Sequence, residues 1–119
     1  MKRTLVIGAS ENPDRYSNMA ICSLRRHGHE VLAIGAREGK VEDVKIEKGK
    51  LSFDNIDTVT MYVGPQNQAS YFDYIIGLNP QRVIFNPGTE NPVFERSLEK
   101  SGIEVVVACT LVLLSTSQY

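Results

Sequence analysis

The fold of this chain is decided by residues 2–17, which read KRTLVIGASENPDRYS. A short apolar run ends at once in Gly8-Ala9-Ser10, and a polar loop then leads into a helical pattern. This order predicts a strand, a tight turn, a loop and a helix. A parallel strand that enters a helix through a glycine turn leaves backbone N–H groups and the positive end of the helix dipole at one crevice. The stretch therefore predicts a nucleotide site.

Length, charge and cysteine usage restrict the class of protein. The chain has 119 residues, which predicts a single domain over 1–119, and its net charge of −1 does not favour nucleic acid or an anionic membrane as a partner. Cys22 and Cys109 are too far apart in sequence to form a metal-ligand or CxxC motif. The sequence shows neither a signal peptide core nor an apolar run near the ~18 residues of a membrane span. We expect a cytoplasmic protein without a metal site.

Short β-branched runs alternate with helical patterns from end to end. Their nearly continuous apolar character is typical of parallel strands covered on both faces. Helices between them, joined by right-handed crossovers, predict an α/β fold with a Rossmann-like, doubly wound, five-stranded parallel sheet of order 3-2-1-4-5. The predicted strands are 3–7, 30–34, 58–63, 82–85 and 104–107.

Start and stop signals delimit three crossover helices. The first ends at Gly28, after basic residues that suit a helix C-terminus. The second begins at Pro65 and ends at Gly77. The third has Asn91 as its N-cap and Gly102 as its stop.

The crossover at 38–50 differs from the others, because charged residues dominate it and few apolar anchors remain. Residues 44–47 alternate with period two, and 48–50 are able to turn the chain back. A small exposed β-ribbon is therefore at least as well supported there as a helix.

Ligands of doubly wound sheets bind at the carboxyl ends of the strands, so we expect the binding residues in the loops at that end. In the first loop, Gly8 allows close backbone approach, Ser10 offers a hydroxyl, and Arg15 can reach a phosphate with a planar set of donors. These residues predict a pyrophosphate site. The full GxGxxG motif is absent, and an ordinary strand-to-helix turn would explain the same Gly and Ser.

The loop after the second predicted strand carries Arg37 where an NAD site would carry an acid for the ribose hydroxyls. A cation at this point favours a ribose that bears a phosphate. NADP and coenzyme A (CoA) both satisfy that condition. The alternative is a solvated arginine beside Glu38.

Three further positions lie at predicted strand tips. Gly64-Pro65 offers a flat, rigid surface for a purine, although helix initiation alone explains the proline. Asn86-Pro87 reads first as a turn and secondly as part of a pocket floor. Cys109 follows the last predicted strand, where it either faces the crevice or packs inertly in the core.

The chain resembles the CoA-binding domain family, in particular its short stand-alone bacterial members. The resemblance rests on Gly8-Ala9-Ser10 with Pro13, Arg15 and Ser17, on a short turn after the second strand, and on the segment 104–109. These members are similar to the N-terminal CoA-binding domains of NDP-forming acyl-CoA synthetases and of the succinyl-CoA synthetase alpha subunit. The similarity covers nearly the whole chain. It implies a Rossmann-like fold with CoA or acyl-CoA held across the strand tips.

The resemblance also implies roles for individual residues. It assigns the ribose phosphate to Arg37. It assigns the pyrophosphate to Gly8, Ala9, Ser10, Arg15 and Ser17, and the adenine to Val63, Gly64 and Pro65. The stand-alone members lack the catalytic domains of the synthetases, so the resemblance supplies no activity.

Three functions remain open at this point. The first is a non-catalytic module that binds CoA or acyl-CoA, because the sequence shows no general base or nucleophile pair. The second is an NADP-binding redox sensor or reductase fragment, and the third is a thiol acyl carrier that uses Cys109. All three have a small-molecule partner, and the sequence leaves a protein partner or a homo-oligomer open.

Overall fold

A single seven-stranded sheet organises the chain, and the computed structural model describes all 119 residues. The strands are β1 (Thr4–Ala9), β2 (Val31–Gly35), β3 (Gly39–Val41), β4 (Val44–Glu47), β5 (Thr58–Met61), β6 (Arg82–Phe85) and β7 (Glu104–Val107). The helices are α1 (Tyr16–Arg26), α2 (Phe72–Leu78), α3 (Pro92–Lys100) and α4 (Thr110–Ser115). No helix is both long and apolar enough to span a bilayer.

The strand order is β3-β4-β2-β1-β5-β6-β7, and every pair is parallel except β3 with β4. The Rossmann-like α/β class is confirmed, but five strands in the order 3-2-1-4-5 is wrong. The position outside β2 belongs to β4, from the charged crossover, and the strand predicted at 58–63 pairs with β1 instead. Counted over the six parallel strands alone, the order is 3-2-1-4-5-6.

The charged crossover forms a β-hairpin that joins the main sheet. Its turn places Glu42 at φ 53°, and β3 precedes β4, so the partner of 44–47 lies before it and not after it. The hairpin is also less exposed than expected, because Val41, Val44 and Ile46 are buried against the face that α1 covers. The alternation that predicted a ribbon therefore also fixes which side of it faces the core.

Helices cover both faces of the sheet. Leu5, Val59 and Phe85 belong to a core that includes Phe94 of α3, whereas Val6 belongs to a second core with Leu24 of α1. Successive residues of β1 thus face opposite cores, as the period of a strand requires.

The predicted helices α1 and α3 are present, and Asn91 caps α3 by accepting a hydrogen bond from the N–H of Phe94. The helix predicted from Pro65 is broken into two 3₁₀ turns before α2 begins. Gln68 explains the break: it is fully buried, and its side-chain amide donates to the carbonyls of Val63 and Thr89. The short helix α4 was not predicted.

Candidate functional site

A cleft of about 700 Å³ opens at the carboxyl ends of β1, β2, β5 and β6. Its centre lies where the chain crosses from one side of β1 to the other, the point at which ligands bind in doubly wound sheets. Its lining residues come in four groups, from the ends of these strands and the segments after them: Gly8, Ala9, Ser10, Glu11, Asn12, Arg15, Tyr16 and Ser17; Ala36, Arg37 and Glu38; Tyr62 and Gly64; Pro87, Gly88 and Thr89.

Two glycines allow the strand tips to approach each other closely. Gly8 has φ +97°, and a Cβ there would lie 2.9 Å from the carbonyl carbon of Tyr62. At Gly35, a Cβ would lie 2.4 Å from the carbonyl oxygen of Ala9. Any side chain at either position would push the strand tips apart, so glycine is required at both.

The loop between β1 and α1 is held by short-range hydrogen bonds. The hydroxyl of Ser10 accepts from the N–H of Asn12 at 3.1 Å, and the side chain of Asn12 accepts from the N–H of Asp14 at 2.9 Å. At the start of α1 the cap residue Arg15 makes no side-chain cap, and the first turn contains no acidic residue. The positive end of α1 therefore faces the cleft without a carboxylate of the helix itself to neutralise it.

The cleft contains two arginines that have no partner within the protein. Arg15 and Arg37 are exposed, and neither takes part in any ion pair or side-chain hydrogen bond of the chain. Glu11 and Glu38 also line the cleft, but neither lies in an ion pair with these arginines. Both guanidinium groups are thus free to bind an anion, and each offers donors in a fork that matches phosphate.

A buried polar network lies beneath the cleft and fixes its floor. The side-chain amide of Asn86 donates to the hydroxyl of Thr60 and to the carbonyl of Met61, both at 2.8 Å. Its oxygen accepts from the N–H of Thr110 at 2.9 Å, and the hydroxyls of Thr60 and Thr110 lie 2.8 Å apart. One side chain therefore joins β5, β6 and the start of α4 with all of these groups hydrogen-bonded.

Tyr62 forms the wall of the cleft beside β5. Its hydroxyl is buried and has no hydrogen-bond partner. Burial raises the pKa of Tyr62 to about 12, so the phenol stays protonated and uncharged near neutral pH.

The structure brings together eight of the twelve residues that the sequence singled out: Gly8, Ala9, Ser10, Arg15, Ser17, Arg37, Gly64 and Pro87. The other four lie outside the lining. Asn86 is buried in the network below the floor, and Val63 packs against the core beside α2. Pro65 points outward as the exposed start of a 3₁₀ turn, and Cys109 is half-buried at the start of α4.

Eight lining residues were not among the predicted site residues: Glu11, Asn12, Tyr16, Ala36, Glu38, Tyr62, Gly88 and Thr89. Each lies within two positions of a predicted site residue, in the segments that follow the strands. Tyr62 was not predicted because the strand was expected to reach residue 63, which made Val63 its tip, whereas β5 ends at Met61.

The sequence profile of a family described as "CoA binding domain" matches residues 2–115. This chain belongs to the CoA-binding domain family. The match spans nearly the whole chain and confirms the resemblance drawn from the loop after β1. None of the curated proteins matches the chain in sequence.

Several solved structures are similar in fold to this CoA-binding domain. A protein described as uncharacterized is 45% identical, with a TM-score of 0.97 over 100% of this chain and 98% of its own. A Thermus thermophilus protein is 21% identical, with a TM-score of 0.85 over 99% of this chain and 91% of its own. The dinucleotide-forming acetyl-coenzyme A synthetase 1 of Ca. Korarchaeum cryptofilum is 16% identical, with a TM-score of 0.72 over 88% of this chain and 25% of its own. At these lower identities the likeness shows the fold alone.

Proposed function

We propose that this domain binds CoA or acyl-CoA in the cleft at the carboxyl ends of the strands and performs no chemistry on it. The observation that carries the proposal is the pair of unpartnered arginines, Arg15 and Arg37, in one cleft. Membership of a CoA-binding family and a volume within the usual ~300–1,000 Å³ of ligand pockets support it.

The pyrophosphate of CoA fits the part of the cleft near β1. Gly8 exposes backbone there, α1 begins without an acidic first turn, and Arg15 lies at the helix start. Backbone N–H groups, a helix dipole and a guanidinium at one point are the elements of a phosphate site.

The phosphorylated ribose fits the other side of the cleft. Arg37 lies in the connection after β2, where dinucleotide folds contact the ribose. Its free guanidinium would bind the 3′-phosphate of CoA. The family resemblance assigns Val63, Gly64 and Pro65 to the adenine. Of these three residues, only Gly64, near the end of β5, lines the cleft.

The side chains that face the cleft support a binding role over catalysis. Cys109 and both histidines lie outside the lining, and the hydroxyl of Tyr62 is buried and protonated. The lining therefore offers no thiol or imidazole as a nucleophile or general base.

Calorimetric titration with CoA, acetyl-CoA, dephospho-CoA, NADP and NAD tests this function. We expect CoA and acetyl-CoA to bind comparably, and CoA to bind about 2 kcal/mol more tightly than dephospho-CoA through the charge-assisted contact with Arg37, a factor of roughly thirty. The variant Arg37→Gln should remove that difference. Arg96→Gln is the matched control, because Arg96 is an exposed arginine outside the cleft.

Other outcomes of the titration would overturn the proposal. Equal binding of CoA and dephospho-CoA would remove the role of Arg37, and tighter binding of NADP than of CoA would favour the redox alternative. Mass spectrometry after incubation with CoA disulfide or acetyl-CoA completes the test. An adduct that Cys109→Ser abolishes would favour the thiol carrier.

A further inference from the structure

The carboxylate of Glu11, on the β1 side of the cleft, is hydrogen-bonded to the β3 side. Oε2 of Glu11, in the loop after β1, accepts a hydrogen bond from the backbone N–H of Lys40 in β3 at 3.0 Å. The same carboxyl group lies directly over Gly39, where a Cβ would come within 2.4 Å of its Cδ. The contact joins two segments that are 29 positions apart in sequence.

This contact lies at one end of the segment that carries Arg37. Residues 36–38 connect β2 to β3, and Arg37 is exposed at their centre. Their upstream end is held where Gly35 of β2 pairs with Ala9 of β1. Their downstream end is held at Gly39 and Lys40, where Glu11 contacts the hairpin.

We propose that Glu11 is a positioning residue, whose contact with Gly39 and Lys40 holds the segment 36–38 so that Arg37 can reach the phosphate on the ribose of the ligand. The inference rests on the proposed CoA function and adds to it a residue that acts through the backbone. A carboxylate in a cleft for polyphosphates repels its ligand. The hydrogen bond from the Lys40 N–H directs one oxygen of Glu11 toward the hairpin, so this carboxylate supports the segment that carries Arg37.

The other carboxylate of the cleft provides an internal comparison. Glu38 lines the same cleft but makes no hydrogen bond or ion pair with the protein. Removing the charge of Glu38 therefore tests repulsion alone, whereas Glu11 combines repulsion with the contact to β3.

The readout is the ratio of CoA affinity to dephospho-CoA affinity, because this ratio isolates the contribution of the ribose phosphate. In Glu11→Ala we expect the ratio to fall about tenfold, because a displaced Arg37 keeps only part of its roughly thirtyfold contribution. Glu11→Gln keeps an oxygen that accepts from Lys40 and should keep the wild-type ratio, with both ligands bound equally well or more tightly. Glu38→Gln should likewise tighten binding without lowering the ratio.

Gly39→Ala tests the contact while the carboxylate remains in the chain. The backbone of Gly39 has no positive φ, and the atoms that the new methyl would meet belong to the end of the Glu11 side chain. The methyl should therefore displace the carboxylate from Lys40, and the ratio should fall as in Glu11→Ala. Asp43→Asn is the control for a loosened hairpin, because it weakens the Arg25–Asp43 pair at the hairpin turn, outside the cleft.

A double variant shows whether Glu11 acts through Arg37. If it does, adding Glu11→Ala to Arg37→Gln causes no further fall in the ratio. A wild-type ratio in Glu11→Ala, or independent and additive losses in the double variant, would overturn the inference.

Failure of the inference and failure of the proposed function give different results. If the wild type does not bind CoA, the proposed function is wrong, and with it this role of Glu11. If it binds CoA and dephospho-CoA equally, the role of Arg37 is wrong, and the role of Glu11 is wrong as well. If the wild type distinguishes them, the inference is judged by the variants alone. Hydrogen exchange of the Lys40 amide, protected in the wild type and faster in Glu11→Ala and Gly39→Ala, checks the contact in the absence of any ligand.

Discussion

The two ends of the sheet use arginine in different ways. At the amino end, Arg3 pairs with Glu30 and donates to the carbonyl of Asp54, and the buried Arg82 donates to the hydroxyl of Thr58. At the carboxyl end, Arg15 and Arg37 have no partner in the protein.

The difference separates stability from binding. The contacts at the amino end tie strands and loops together, so their arginines contribute to the free energy of unfolding. The arginines at the carboxyl end contribute no such contact, and their charge is available to a ligand. Substitutions at one end should therefore change stability, and substitutions at the other should change affinity.

Arg82→Ala should give the largest effect. The guanidinium donates to Thr58 Oγ1 at 2.9 Å and to the main-chain oxygen of Tyr119 at 3.1 Å, and it lies 4.5 Å from the centre of the Tyr119 ring. Its loss should lower the free energy of unfolding by about 3 kcal/mol, measured by urea denaturation. CoA affinity should change less than about twofold, since the site lies at the other end of the sheet. Arg96→Ala, an exposed control, should remain within about 0.5 kcal/mol.

A loss below about 1 kcal/mol in Arg82→Ala would contradict the division between the two ends. The contacts around Tyr119 would then contribute little to folding.

Arg15→Gln should give an intermediate effect, and in affinity only. Because the pyrophosphate is common to CoA and dephospho-CoA, we expect both to bind about tenfold more weakly in calorimetric titration. The free energy of unfolding should stay within about 0.5 kcal/mol, since Arg15 is exposed and unpaired. Weakening of CoA alone would instead assign the ribose phosphate to Arg15.

Lowering the pH should give the smallest effect, and it should arise at the amino end. Burial, the N-terminal amino group, His27, Lys2 and Arg82 lower the pKa of His29. Its Nδ1 accepts a hydrogen bond from the N–H of Lys2 at 3.0 Å, which requires the neutral ring.

Since the unfolded chain binds this proton more readily, the stabilisation is complete above the ordinary pKa of about 6.5 and is lost as the pH falls toward the folded-state pKa. Scanning calorimetry between about pH 7.5 and about pH 5.5 should show Tm falling with acidity. His29→Gln should flatten part of that fall, and His27→Gln should flatten it less, because it removes only one of the groups that lower the pKa of His29. An equal fall in His29→Gln would place the acid-sensitive group elsewhere.

The sequence predicted the elements whose local signals agree with their tertiary setting. The apolar run before Gly8 forms β1, and Asn91 caps α3, as their patterns indicate. Eight of the selected residues lie in one cleft because strand tips in a parallel sheet converge wherever the strands themselves have been located.

The strand order could not be read in the same way. Half of β4 consists of Lys45 and Glu47, and its pairing with β2 depends on Val44 and Ile46 being buried by elements distant in sequence. The pattern predicted a ribbon but held no information about which strand the ribbon would join.

Long-range contacts also explain the remaining differences. The 3₁₀ turns before α2 follow from Gln68, whose partners include Thr89 in a separate loop. Asn86 reads as a turn residue, and only the positions of Thr60 and Thr110 show that it supports the floor from below. Hydrogen-bond partners that lie far apart in the chain cannot be identified from a single sequence.

The network around Asn86 bears on any attempt to give this scaffold a new ligand. The side chains of this network are hydrogen-bonded to one another and lie below the cleft. Randomising them would lower stability without changing the surface that contacts the ligand. The loop 10–15 and the connection 36–38 are exposed through most of their length, so libraries confined to them would vary the recognition surface while the platform beneath stays intact.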